Sequence, residues 1–230
     1  AANVASTYEG EGRFLRALAH HELLLHFCRP FADGAGSKPG VPYRTKAVNS
    51  PASIEEGLAM GRGTVAEVYT KILEDLDFAE KNLPATRSAN KISRATAGAA
   101  IALKTRIKLH TQDWAGVIAE GAKLGTDATS GSFQSAIGAY GLEADAAAPF
   151  LNYSLNKESI FSIANSATAH PGVNGALANL MGPSSKGGRD IIATSPILYN
   201  APFWTANDAR RTKLQIGQTT GSYPFYYTAK

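Results

Sequence analysis

The sequence predicts a mainly α fold, with antiparallel helix pairs of the tetratricopeptide (TPR) kind joined to an irregular, loop-rich region holding a few short strands. Three observations carry this. Apolar residues recur at helical period through residues 64–83. The helix after it is built largely from small residues. Past residue 125 the composition turns to Gly, Ser, Ala, Thr, Asn and Pro, and helical periodicity fades. The expected organisation is a helical scaffold over 1–125 and an irregular ligand-side region over 126–230, together one domain.

Residues 8–28 read as the first helix. Phe14, Leu15, Leu18, Leu24, Leu25 and Phe27 spread over more than one face, which predicts a largely buried helix ending at Pro30. Residues 30–63 read as one long loop, punctuated by Gly34, Gly36, Pro39, Gly40, Pro42, Pro51 and Gly57. Connections of that length are uncommon in a compact domain and are often functional.

The second helix has the clearest signals. Thr64 and Glu67 form a T-x-x-E capping box. Val65, Val68, Tyr69, Ile72, Leu76, Ala79 and Leu83 follow at helical spacing, and Pro84 stops the run. A third helix is expected from near Ser93 through His110. Its first half, with Ala95, Ala97, Gly98, Ala99 and Ala100, carries little bulk, so a neighbour can approach closely. Asp113 is placed to cap a fourth helix with Trp114, Val117, Ile118, Gly121 and Ala122 on one core-facing side and Gly125 at its end. A large aromatic followed by small residues at i+7 and i+8 is similar to the first helix of a TPR unit. In the second half, ESIFSIA (158–164) reads as a short strand. At least two of the four aromatics in YPFYYTAK, from Tyr223 on, are expected in the core.

Composition excludes several function classes. The 230 residues carry a formal charge of +4 from scattered Lys and Arg, with Arg210–Arg211 as the one adjacent pair and no basic stripe interleaved with aromatics, so nucleic acid is not an expected partner. No apolar run approaches the length of a membrane span. Cys28 is the single cysteine and reads as an inert, buried thiol. HHELLLH (20–26) begins like the zinc-protease signature H-E-x-x-H, but its second histidine stands at i+5. Five helical steps leave His26 about 140° around the helix from His21, so the two cannot share one tetrahedral ion. Glu22 and His26 instead form an i,i+4 polar pair, and His20 and His21 read as packing or surface histidines. Nucleophile elbow, phosphate loop and paired-carboxylate motifs are lacking, so the chain reads as a non-enzyme that needs no metal or cofactor. The start, AANVASTYEG, shows neither signal peptide nor lipid-accepting cysteine, and the end, YYTAK, is abrupt; truncation at both ends is expected.

Several segments together resemble one family. FLRALAHHELLLHFCRPF is similar to its L-R-A-x-A-x-x-x-L-x-x-x-F-G-x-P-Y helix and turn, with Cys28 in place of the usual glycine and Phe31 in place of the usual tyrosine. PGVPYRT resembles its G-V-P loop. GRGTVAEVYTKILEDLDFAEKNLP resembles its R-x-T-V-x-E-V-Y-x-x-I-x-x-D-L-x-x-A-x-x-x-L-P helix nearly position by position. SRATAGAAIALKTRIKLHTQDWAGVIAEGAKL resembles the helix pair that follows, NKESIFSI an N-K-E-x-I-F strand, and NDARR a D-x-R-R motif. This is the SusD/RagB family of outer-membrane nutrient-binding lipoproteins. The resemblance runs through most of residues 12–125 and recurs as islands to 230; the family's R-x-A-E helix is not found in this chain.

The resemblance implies a SusD-like fold and a surface-exposed lipoprotein of the cell outer membrane. It implies capture of oligosaccharides or polysaccharides (peptides in some members) for import through a SusC-like TonB-dependent transporter, with the helix pairs facing the barrel and irregular loops facing the ligand. Membrane attachment would be only through an N-terminal lipid anchor not present in this chain. For binding residues the sequence offers Trp204, in the proline-containing polar loop NAPFWTAND, and Tyr43, in the long loop after Pro42, because a flat ring buries the apolar face of a sugar. Asp208, Arg210 and Arg211 read as a salt-bridge network. The alternatives are a TPR-like adaptor binding another protein, and a peptide-binding member of the same family. A signal peptide ending in a lipidated cysteine, at the start of the full gene, separates the lipoprotein from the adaptor.

Overall fold

The computed structural model describes residues 2–87, 92–127, 133–152, 156–166, 168–220 and 222–228. They form two compact units, Ala1–Gly141 and Leu142–Lys230. The first unit holds five helices among its described residues: α1 (Ala2–Phe27), α2 (Pro51–Ala59), α3 (Val65–Asn82), α4 (Ala97–His110) and α5 (Trp114–Lys123). The second holds short helices α6 (Ala148–Leu151), α7 (Gly172–Gly175), α8 (Leu177–Met181), α9 (Pro196–Tyr199) and α10 (Ala209–Lys213), with a hairpin of β1 (Gln215–Thr220) and β2 (Tyr223–Thr228). The fold is mainly α, with TPR-like helix pairs.

Helix α1 starts at Ala2, six residues earlier than the periodicity suggests. It is also less buried than expected. Phe14, Ala17, His20, His21 and Leu24 form its covered side, whereas Leu15, Leu23, Leu25 and Phe27 are exposed. The loop of 30–63 is interrupted by α2, which Ser50 and Ser53 start with a reciprocal capping box and Pro51 at its first position.

Thr64 and Glu67 cap α3 reciprocally, as its sequence signals. Val65, Val68, Tyr69, Ile72, Leu76 and Ala79 are buried along one stripe. Helices α1 and α3 run antiparallel: the Thr7 hydroxyl bonds the carbonyl of Asn82 at 3.2 Å, Arg16 meets Asp75, and His21 lies beside Tyr69. Helix α4 begins at Ala97, capped by Thr96, and not near Ser93. The Thr96 hydroxyl takes the Ala99 N–H, which fixes the start. Its small face is used: a Cβ on Gly98 would stand 2.6 Å from the ring of Tyr140, whose hydroxyl bonds Thr96 at 2.8 Å.

Lys104 ties α3, α4 and α5 together. Its buried ammonium reaches Asp77 at 2.8 Å, Glu120 at 3.3 Å, and Glu80. Burial pulls its pKa down, but the bonds to Asp77 and Glu80 and the charge of Glu120 outweigh that, and the net shift is upward. Asp113 caps α5, and Gly125 ends it with φ of 84°, a conformation that favours glycine. Trp114 departs from expectation. It is 58% exposed, with Ile118 one turn on also exposed, although Gly121, on the same helical side, is buried.

In the second unit, residues 158–164 form no strand. The Asn156 side-chain Oδ1 accepts the N–H groups of Glu158 and Ser159 at 2.9 and 2.8 Å, a local turn that competes with ladder pairing. The hairpin pairs Gln215 with Thr228 through Thr220 with Tyr223. Of the four aromatics of β2, Tyr227 is the buried one, where at least two were expected; a two-stranded ribbon covers little of its own surface. Ala229 and Lys230, which close the YPFYYTAK run, lie outside the described residues.

Candidate functional site

Tyr43 sits in a groove of the first unit with a volume of about 970 Å³, lined among others by Arg13, Arg16, Arg62, Lys71, Glu67 and Asp75. Asp75 organises it. Its two oxygens accept Nε and Nη2 of Arg16 at 2.6 Å each, and the Tyr43 hydroxyl donates to it at 2.5 Å. Burial, then the bond to Asp75, raises the Tyr43 pKa above its ordinary value. His20 steadies the same loop: its Nδ1–H donates to the Arg16 carbonyl at 2.8 Å, and its Nε2 accepts the Arg44 N–H at 3.1 Å. The groove carries four basic and four acidic side chains, a balance that suits a polar neutral ligand better than an anion. Tyr43 itself is 6% exposed, covered because its hydroxyl is drawn into the Asp75 pair.

Trp204 is likewise buried, at 8% exposure, rather than open to solvent. Three other segments gather around it. Tyr199, from α9, meets it edge-on at 5.8 Å between centroids; Tyr226, from β2, stacks on Tyr199 at 3.5 Å. Arg211, from α10, stands 4.1 Å over the Tyr199 ring and donates from Nη1 to the Trp204 carbonyl at 2.9 Å. That guanidinium also holds the Tyr199 hydroxyl below its ordinary pKa. Asp208 caps α10 and pairs with Arg210, and this pairing holds its carboxyl at about 2. The indole N–H contributes to that shift without forming a hydrogen bond of normal geometry. The D-x-R-R stretch is thus an ion-paired clamp under an aromatic cluster. The neighbouring Phe203 ring is 76% exposed. Loop composition placed an aromatic here but could not tell which of Phe203 and Trp204 faces in.

The histidines do not converge on a metal. His26 faces Glu22 at 3.8 Å on the surface, while His21 is fully buried. No cluster of three or more potential ligands exists among the described residues. His21 packs 5.2 Å from His110, both ring nitrogens without a hydrogen-bond partner among the described residues; burial, then His110 and Arg106, lowers its pKa to about 4. Cys28 is half-buried. Among the described residues no helix is long and apolar enough to cross a membrane.

Residues 3–109 match a SusD-like family described as starch-binding and associating with the outer membrane. Among curated proteins none matches significantly. Solved structures of similar fold include a SusD superfamily protein from Bacteroides vulgatus, with TM-score 0.74 and 23% identity over 97% of this chain and 46% of that one. Another, from Bacteroides fragilis, has TM-score 0.61 and 27% identity over 76% of this chain and 37% of that one. A laminarin-binding SusD-like protein has TM-score 0.55 and 22% identity over 70% of this chain and 31% of that one. The chain therefore spans less than half the length of these relatives. The chain is thus similar in sequence over residues 3–109 to a SusD-like family, and similar in fold over most of its length to SusD superfamily structures.

Proposed function

We propose that this SusD-like chain belongs to a surface lipoprotein of the outer membrane that captures glycans for import through a SusC-like TonB-dependent transporter. The observation that carries the reading is the match of residues 3–109 to a family described as starch-binding and outer-membrane-associated. The laminarin-binding relative of similar fold adds support. In this reading the paired helices of the first unit are the scaffold that meets the transporter, and the irregular second unit carries the ligand face. The protein acts by binding and performs no chemistry on the glycan.

Tyr43 and Trp204 enter as buried groups that shape the surface around them: Tyr43 through Asp75 and the groove, Trp204 through the Tyr199–Tyr226 stack and the open Phe203 beside it. Neutral sugars are held by ring stacking and directed hydrogen bonds, so many modest contacts add along a chain. Titration of the protein with maltose, soluble starch and laminarin tests this. Affinity is expected to rise with glycan length and to change little between low and high salt. Tight binding of a folded protein or peptide, with no response to any glycan, would favour the adaptor or a peptide-capturing relative.

A further inference from the structure

We propose that one face of the β1–β2 hairpin is a carbohydrate-binding site for a neutral glucan chain, with Tyr223 and Phe225 as stacking rings and Gln218, Asp190 and Ser184 as the polar groups that orient it. This rests on the glycan-binding reading above and assigns it residues.

Strand alternation puts Tyr223, Phe225 and Tyr227 on one face and Pro224, Tyr226 and Thr228 on the other. The second face is occupied, since Tyr226 stacks on Tyr199. The first is graded: Tyr227 is buried, Phe225 is 36% exposed and Tyr223 72%. Successive rings on that face stand about 6.7 Å apart, on the scale of one sugar unit. Large aromatics left open in a row are costly to solvate and mark binding surfaces.

The polar groups stand beside them in register. Gln218 lies across from Phe225, and Thr220 across from Tyr223. Gln218 is held in place: its Nε2 donates to Asp190 Oδ1 at 3.0 Å and to Ser184 Oγ at 3.3 Å, and its Oε1 accepts the Ser185 N–H at 3.1 Å. Asp190 Oδ1 also accepts the Ser184 N–H at 2.7 Å, and Oδ2 takes neither of these bonds. Asp190 adopts φ of 57°, a left-handed conformation that aspartate enters more readily than most residues other than glycine. Directly paired residues share a face of the ribbon, so the bond from Gln218 to Asp190 brings Asp190 to the Phe225 side.

The chemistry selects the ligand. A sugar ring presents an apolar C–H face to an aromatic plane and hydroxyls at its rim. Those hydroxyls need acceptors and donors together: Asp190 Oδ2 is the acceptor, and the Ser184 hydroxyl, which accepts from Gln218 Nε2, has a proton to donate. The Asp190 charge disfavours an anionic polymer. The groups are preorganised by their mutual bonds, so little ordering is lost on binding.

The test is calorimetric titration of the full chain with two glucans of different linkage, soluble starch and laminarin. The proteins are the wild type, the Tyr223→Ala/Phe225→Ala double variant, Tyr223→Trp and Asp190→Asn. The double variant is expected to lose about tenfold or more in affinity for whichever glucan binds, with an unchanged melting temperature. Tyr223→Trp should keep wild-type affinity because it keeps a flat ring, and Asp190→Asn should weaken binding several-fold. Equal binding by wild type and double variant overturns the hairpin site and leaves glycan capture standing. A wild type that binds neither glucan overturns both. A dimer that Tyr223→Ala dissolves, with glucan affinity intact, overturns the site in favour of self-association.

Discussion

The two units of this chain are stabilised in different ways. In Ala1–Gly141 long helices bury continuous apolar stripes, and charges inside them are paired: Lys104 with three carboxylates, Asp75 with Arg16 and Tyr43. In Leu142–Lys230 the elements among the described residues are three to six residues long and the order is local. Side chains hold adjacent backbone, as Asn156, Asp145 and Asp208 do, and one aromatic cluster joins four segments. The contrast teaches where plasticity can sit. Helix packing fixes geometry over many residues at once. Capped turns can be re-aimed singly, which suits a face that must match a ligand.

The sharpest break of that comparison is Lys104→Ala. It leaves Asp77, Glu80 and Glu120 without its charge and should cost about 3–5 kcal/mol, and Lys104→Met should still cost most of that because the same three carboxylates lose their partner. Urea unfolding checks both. Leu76→Ala, at a fully buried position of α3, should cost about 2–5 kcal/mol; a loss below about 0.5 kcal/mol would show that the stripe is not core. A smaller effect is tied to pH. His21 is protonated less readily folded, near 4, than unfolded, near 6.5. As pH falls through that window the unfolded chain takes up the proton first, so stability present above pH 6.5 is lost toward pH 4. The loss should be on the order of 2 kcal/mol at most, and His21→Phe should flatten that part of the pH profile. Trp114→Ala should change stability by less than about 0.5 kcal/mol, because its ring stands in solvent.

The same contrast explains what could be read from sequence. Helix α3 was legible down to its caps, because Thr64, Glu67 and a seven-position apolar stripe all specify one structure. Gly98 and Gly125 were legible as a close approach and a stop. Trp114 was not: periodicity puts it on one side of α5 with Gly121, but it does not say how far along that side the cover extends, and Gly121 is buried while the ring at the helix start is open. Residues 158–164 alternate like a strand, yet Asn156 claims their first N–H groups. At the candidate sites, aromatics in loops were visible while their exposure was not. Tyr43 is tied to Asp75, far away in sequence, Trp204 is met by Tyr199 from the short helix before it, which carries no helical signal of its own, and the Gln218–Asp190–Ser184 group is assembled from segments with no common motif.

The central claim is that the irregular unit, not the helical one, meets the glycan. Amide hydrogen exchange of the full chain, with and without saturating glucan, tests it most directly. The account predicts ligand-induced protection within 184–228, strongest along β1 and β2, and unchanged exchange in α1, α3 and α4. Protection confined to the α1–α3 groove around Tyr43 and Asp75, with the hairpin unaffected, would contradict it.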